Sequence, residues 1–295
     1  MPKFLSTLIK RSLGAYINLL GYISPERATK MAYKFFSEPR DGRLLKDALP
    51  EVLQQAEAEV IYDGDAHITL YRWKGNATTV LLVHGWESNA SRWEQMLDYL
   101  RPTGCTVMAL DAPAHGLSSG TSFNIPGYAD FVDIVVRRYT PQYLVGHSLG
   151  GATSLYYQSR HPYNSIKKMV ILGAPCDLDT ILLNYRTMLG LNERVRLLMD
   201  THFKTQFKIN TEEFSCGLFA KELKTEGLLV HDCDDEIVAY AEAEKIAEAW
   251  PSAEFITTNG LGHSLHDAVL YKQIIAFLFD AKAVTLPDGR TETPE

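Results

Sequence analysis

The sequence predicts an α/β architecture: a mostly parallel central sheet with helices on both faces, preceded by N-terminal helices and interrupted by a helical insertion. Three observations carry this prediction. From Thr79 onward, short apolar runs alternate with helical patterns. One such run, Tyr143-Leu144-Val145, leads through Gly146-His147-Ser148-Leu149-Gly150 into a helical stretch. The alternation then stops between residues 177 and 223, where only helical periodicity remains. Strands separated by helices pair in parallel, and a parallel sheet is buried on both faces. Chemistry in such sheets sits at the C-terminal strand ends.

In chain order, Leu5, Ile9, Leu13, Tyr16, Leu20 and Ile23 recur at helical spacing, which makes residues 3 to 23 an amphipathic helix. Asn18 and two glycines break its apolar run, no small-residue cleavage site follows, and the run is too short to span a bilayer. Two roles fit: packing on the protein's own body or a second subunit, or peripheral attachment to a membrane. Ser24-Pro25-Glu26 starts a second helix that ends near Phe36. Ala58 to Tyr62 and His67 to Trp73 read as strands joined at Asp63-Gly64-Asp65 like a hairpin.

The alternating region then supplies strands at Val80–Val83, Val107–Leu110, Tyr143–Val145, Lys168–Leu172, Leu228–His231 and Glu254–Thr257. Helices fall near 91–100, 128–138, after Ser148, 239–250 and 264–279. The domain reading is an N-terminal helical segment (1–50), a core (51–176 and 224–282), a helical cap insertion (177–223) and a flexible polar tail (283–295).

With 295 residues, 46% hydrophobic and 22% charged, the composition is that of an ordinary globular protein with room for a large core. A net charge of -7 and the lack of a Lys/Arg cluster argue against nucleic acid as a partner. The four cysteines lack Cys-x-x-Cys spacing, which gives no zinc knuckle and reads as free thiols in a reducing compartment, so a cytoplasmic protein is expected.

Gly146-His147-Ser148-Leu149-Gly150 matches Gly-x-Ser-x-Gly between a strand and a helix, the pattern of a nucleophile elbow. A serine at so tight a turn is strained, and glycines two residues to either side remove the side chains that would collide. Chance alone yields the pattern about 0.07 times in a chain of this composition, so its partners must be found as well. A serine nucleophile needs a base, and the base needs an orienting acid, in this architecture in the order Ser, acid, His. Acid candidates follow the strand at Leu228 in His231-Asp232-Cys233-Asp234-Asp235, and the base candidate is His263 in Gly260-Leu261-Gly262-His263. A metal site at the His231–Asp235 cluster is disfavoured, since no second ligand pair accompanies it.

With these motifs the sequence resembles the serine-dependent α/β-hydrolases, from about residue 58 to 281. Besides the elbow it carries His84-Gly85-Trp86, Asp111-Ala112-Pro113-Ala114-His115-Gly116, the His231…Asp235…Val238 spacing and Gly260-x-Gly-His263. The resemblance implies Ser148 as nucleophile, His263 as base, Asp235 as the acid that holds the imidazole, and the backbone N–H groups of Trp86 and Leu149 as the oxyanion hole. Asp232, Asp234 and Asp177 are the alternative acids and His266 the rival base, set one turn into the last helix. His84, His115 and His147 read as turn-stabilising or packing residues. Two positions depart from the family pattern: Asp232 stands where glycine is common, and Ala239 where proline is common.

The implied activity is cleavage of a carboxylic ester or related acyl bond of a small substrate through an acyl-enzyme, under the helical cap, with no cofactor or metal. Hydrolysis of a carbon–carbon bond beside a carbonyl, aminopeptidase-like cleavage and a non-catalytic binding role are the alternatives. Dehalogenase and epoxide hydrolase chemistry is disfavoured, because those relatives carry aspartate at the position of Ser148.

Overall fold

The computed structural model describes residues 3–280, with side chains from Leu8 onward. Its centre is one eight-stranded sheet, in the order β1-β2-β4-β3-β5-β6-β7-β8. The strands are β1 (Glu57–Asp63), β2 (Ala66–Trp73), β3 (Thr79–Val83), β4 (Thr106–Leu110), β5 (Tyr143–His147), β6 (Lys168–Leu172), β7 (Glu226–Asp232) and β8 (Ala253–Thr258). β1 and β2 form an antiparallel hairpin whose register closes at Asp63↔Ala66, leaving Gly64-Asp65 as its turn. β2 also runs antiparallel to β4, and every later pairing is parallel.

The inner strands show why their sequences are continuously apolar. Val80, Leu81, Leu82 and Val83 are all 0% exposed, yet alternate residues enter different cores. Leu81 and Val83 join one cluster with Tyr128 and Val132 of α5 (Ile125–Tyr139), Leu155 of α6 (Leu149–Arg160) and Ile246 of α10 (Tyr240–Ala249). Val80 and Leu82 join the other, with Met96 and Leu97 of α4 (Glu94–Leu100) and Ile274 and Leu278 of α11 (Ala268–Phe279). Helices therefore cover both faces. The outer strand β1 is mostly exposed, and Glu57 on it pairs with Arg72 and Lys74, charges that make an open sheet edge a poor template for further strands.

Between β6 and β7 the chain forms α7 (Leu178–Leu189), α8 (Glu193–His202), a π-helical turn at Phe203–Phe207 and the short α9 (Cys216–Ala220). Its two ends are stitched together by an Asp177↔Ser215 bridge and by the Cys216 N–H on the Cys176 carbonyl at 2.8 Å. The N-terminal helices α1 (Lys3–Ile23) and α2 (Pro25–Ser37) pack on α7 and α8, so the two stretches that the sequence separates form one helical layer. Asn18, the residue that breaks the apolar run of α1, is the link. Its Nδ2 donates to the Gly190 carbonyl at 2.8 Å, and its Oδ1 accepts from the Asn192 N–H at 2.8 Å. Tyr185 of α7 completes the joint by donating its hydroxyl to the Ala32 carbonyl of α2 at 2.7 Å.

Several boundaries differ from the sequence reading, with α5 starting at Ile125 rather than near Tyr128. The last helix begins at Ala268 rather than Ser264, because Leu265 takes a left-handed φ of 53° and Asp267 caps the helix by accepting from the Leu270 N–H. The helix expected from Ser91 opens as a 3-10 turn over Ala90–Trp93 before α4 starts. The tail at 283–295 lies outside the described residues.

Candidate active site

β5 ends at His147, and α6 begins at Leu149, so the whole strand-to-helix reversal falls on Ser148, with φ 53° and ψ -126°. A Cβ on Gly150 would lie 2.1 Å from the Val83 carbonyl oxygen and one on Gly146 would lie 2.7 Å from the Gly150 oxygen, which explains both glycines. Four of the non-glycine residues at positive φ, namely Glu87, Ala114, Ser148 and Leu265, lie in loops at this C-terminal edge of the sheet. Strain of this kind persists only where surrounding contacts over-determine it, and it concentrates at functional sites.

The loop after β7 and the loop after β8 meet beside this turn. His263 Nδ1 and Asp235 Oδ2 are 2.7 Å apart, and the Asp235 side chain is fully buried. The same carboxylate accepts from the Ile237 and Val238 N–H groups at 2.8 and 2.9 Å, and His231 Nε2 lies 3.3 Å from Oδ2. Burial alone would raise the pKa of Asp235, but hydrogen bonds from His231, His263, Val238 and Ile237 outweigh it and hold the group well below the usual carboxylate range. An ionised Asp235 can only accept, so the proton of this contact sits on His263 Nδ1.

His263 is tied to the elbow through its backbone, since its carbonyl accepts from His147 Nε2 at 2.8 Å and the two rings sit 4.9 Å apart. The Ser148 hydroxyl itself makes no hydrogen bond among the described residues, so the step from Ser148 to His263 is the open joint of the arrangement.

A third loop, after β3, approaches from the other side: a Cβ on Gly85 would stand 2.7 Å from Ser148 Cβ. Its shape is set by two neutral histidines. His84 Nδ1 donates to the Gly85 carbonyl at 2.7 Å and its Nε2 accepts from the Ala112 N–H at 2.9 Å. His115 Nδ1 donates to the Pro113 carbonyl, and its Nε2 accepts from the Glu87 N–H at 3.0 Å. Burial drives the pKa of His84 down to about 3 and lowers that of His115 as well, so both stay neutral and can accept. Among the described residues, no acceptor takes the Trp86 or the Leu149 N–H. The Trp86 ring lies edge-on to His115 and Phe123, at 5.6 and 5.8 Å between centroids.

The rival residues are engaged elsewhere. Asp177 pairs with Lys245 at 2.8 Å, at the root of the insertion. His266 lies in the loop before α11 rather than inside that helix, a correction to the sequence reading, and its Nδ1 contacts the Tyr271 hydroxyl.

Asp232 and Asp234 turn out to act as staples, a role that the sequence did not suggest. Asp232 Oδ2 accepts from the Thr258 hydroxyl at 2.7 Å and the Leu261 N–H at 3.0 Å, while its Oδ1 accepts from the Asp234 N–H at 3.0 Å. Asp234 Oδ2 accepts from the Gly260 N–H at 3.0 Å. Two carboxylates of the acid loop thus hold the backbone that carries His263. Arg92, also missed, braces the far side by donating to the Ser264 carbonyl at 3.1 Å, with its guanidinium 4.7 Å over the Trp93 ring. The one signal available in the sequence was Asp232 itself, standing where glycine is usual.

A cleft of ≈ 420 Å³ lined by Arg137, Tyr157, Arg160 and His161 lies at the C-terminal ends of α5 and α6, beside the entry to β6. It is at the opposite edge of the sheet from Ser148.

Residues 78–235 match the family model described as alpha/beta hydrolase fold, a span of just over half the chain that includes Ser148 and ends at Asp235. Among curated proteins, the bifunctional esterase/perhydrolase DCH of Acinetobacter calcoaceticus is 31% identical over 103 residues, covering 34% of this chain and 37% of that protein. A pimeloyl-[acyl-carrier protein] methyl ester esterase of Neisseria meningitidis is 37% identical over 84 residues, 28% of this chain and 32% of its own. The matched region thus spans about a third of the length of these relatives. Among solved structures, alpha/beta hydrolase domain-containing protein 10 from mouse superposes with a TM-score of 0.61 at 17% identity, over 76% of this chain and 98% of the mouse chain. No described helix is long and apolar enough to cross a membrane. From the sheet order, the turn at Ser148 and the family match together, the chain belongs to the alpha/beta hydrolase fold family.

Proposed function

We propose that this chain is a serine hydrolase that cleaves a carboxylic ester, or a related acyl bond, through an acyl-enzyme. The observation that carries the reading is the 2.7 Å contact between Asp235 and His263, on a histidine whose backbone is bonded to the residue preceding Ser148. In this mechanism Ser148 Oγ attacks the carbonyl carbon while His263 Nε2 takes the hydroxyl proton. Nδ1–H, held by Asp235, stabilises the imidazolium that results. Charge that builds on the carbonyl oxygen is met by the free N–H groups of Trp86 and Leu149, the latter at the positive end of α6. Collapse of the tetrahedral intermediate expels the alcohol, protonated by His263, and leaves the acyl group on Ser148. Water, activated by the same imidazole, then releases the acid and restores the hydroxyl.

The ester assignment is supported by the names of the two curated relatives above, both esterases. Serine at the elbow supports acyl transfer over the aspartate-dependent chemistries.

The test is covalent labelling with a fluorophosphonate probe together with turnover of p-nitrophenyl acetate. The wild-type chain should label at residue 148, and Ser148→Ala should neither label nor turn over, with kcat down by more than about 10⁴-fold. Wild-type protein that stays folded but neither labels nor hydrolyses any of a series of acyl esters overturns the proposal.

A further inference from the structure

α1 packs on the protein through two glycines and Ile17 and leaves six of its large side chains outside. Its contact face is Gly14, Ile17 and Gly21, all buried. A Cβ on Gly14 would lie 1.8 Å from the Leu189 carbonyl, and one on Gly21 would lie 3.4 Å from Val195 Cγ2, so the helix backbone rests directly on α7 and α8. On the opposite arc, about 140° wide at 100° per residue, Leu8, Ile9, Tyr16, Leu19, Tyr22 and Ile23 are between 50% and 70% exposed. Six large apolar or aromatic side chains on one helix face are far more than the scattered single residues of an ordinary surface.

Charge identifies the occupant. α1 carries Lys3, Lys10 and Arg11 and no acidic residue, and Arg194 of α8 sits 5.1 Å from the Tyr22 ring at the edge of the face. Residues 1–40 hold seven Lys or Arg against two Glu, while the whole chain is at -7, so the remainder of the molecule is at -12. A second copy of α1 could offer Lys10 and Arg11 no carboxylate. A bilayer surface with anionic headgroups offers both the apolar boundary and the negative charge, and tyrosine rings suit that boundary.

We propose that the exposed face of α1 docks this protein, in the plane of the membrane, on an anionic lipid surface. Arg11 borders the face on α1, Arg194 borders it on α8, and the cations of α1 disfavour a spanning position and favour an in-plane one. α1 packs on α7 and α8, which follow β6 at the C-terminal edge of the sheet where Ser148 also lies. This inference stands independently of the reaction assigned to that site.

The experiment is flotation of the full chain with vesicles of phosphatidylcholine alone or mixed with phosphatidylglycerol. The protein should float with the mixed vesicles, and Leu19→Glu/Tyr22→Glu should abolish flotation. Lys10→Glu/Arg11→Glu should weaken partitioning by about fivefold or more per cation removed. All variants should keep wild-type circular dichroism and unchanged hydrolysis of soluble p-nitrophenyl acetate. Absence of flotation, flotation equal in wild type and variants, or a sedimenting wild-type dimer that Leu19→Glu converts to monomer would each overturn the proposal, the last by making a second copy the occupant.

Discussion

Asp232 shows how a single side chain can serve a site that it never touches. Its two oxygens satisfy the Asp234 N–H, the Leu261 N–H and the Thr258 hydroxyl, and burial opposes its charge less than these donors favour it, so its pKa is lowered. Asp232→Ala leaves three partly buried donors without this acceptor, at up to about 1 kcal/mol each, and also loses the packing of a buried side chain. We expect a loss of about 2–4 kcal/mol in urea unfolding, with slower fluorophosphonate labelling of Ser148. Asp232→Asn, which keeps one carbonyl oxygen, should recover part of both. Equal labelling rates in Asp232→Ala and wild type would show that His263 does not depend on the staple. Ser148, Asp235 and His263 could be picked out as candidates from the sequence because elbow spacing and chain order constrain them, and the contact between the last two is a feature of the structure. The staple was not, because a carboxylate facing backbone N–H groups across two loops leaves no periodic or spacing signal. For the same reason the sequence did not separate Asp232, Asp234 and Asp235 as candidate acids; in the structure Asp235 is the one of the three in contact with the His263 ring.

Among the elements, the insertion is held at its root by Glu242 of α10. Glu242 Oε2 accepts from both the Cys176 and Asp177 N–H groups at 3.0 Å, and Lys245 bridges Oε1 and Asp177 at 2.6 and 2.8 Å. Glu242 is only 4% exposed, so Glu242→Ala strands two backbone donors and deprives Lys245 of one of its partners. A drop of about 2–4 kcal/mol is expected in thermal or denaturant unfolding, with Glu242→Gln milder. An unchanged melting temperature for Glu242→Ala would show that the root of the insertion is secured elsewhere. The existence of most of these elements follows from apolar periodicity, as in Val80–Val83 and Lys168–Leu172. Their ends follow from local geometry instead: the left-handed Leu265 and the Asp267 cap push the start of α11 to Ala268. The partnership of α1 with α7 and α8 was invisible for a different reason. Apart from Ile17, its contacts rest on Gly14, Gly21 and the carbonyl of Gly190, and a close backbone approach carries no hydrophobic pattern.

The molecule as a whole buries neutral histidines, and that makes its stability depend on pH in a predictable direction. Burial lowers the pKa of His84 to about 3, with His115 and Arg92 adding to the effect, and lowers that of His147 well below its ordinary value. A lowered histidine pKa means that the unfolded chain binds protons first. Stability is therefore intact above about pH 6.5 and declines as pH falls toward the folded value, at up to about 1.4 kcal/mol per unit for each such histidine. Denaturant unfolding across this range should show the slope, and His84→Gln should flatten it; an unchanged slope would assign the effect to other groups. The joint between α1 and α8 has its own consequence. Asn18 and Asn192 are 174 positions apart. A ribosome adding about 5–20 residues per second makes α1 wait roughly 10 to 35 s for its partner. During that interval its glycine face has neither α7 nor α8 to rest on, so a nascent chain stalled before residue 190 carries a helix whose backbone contact surface is still open.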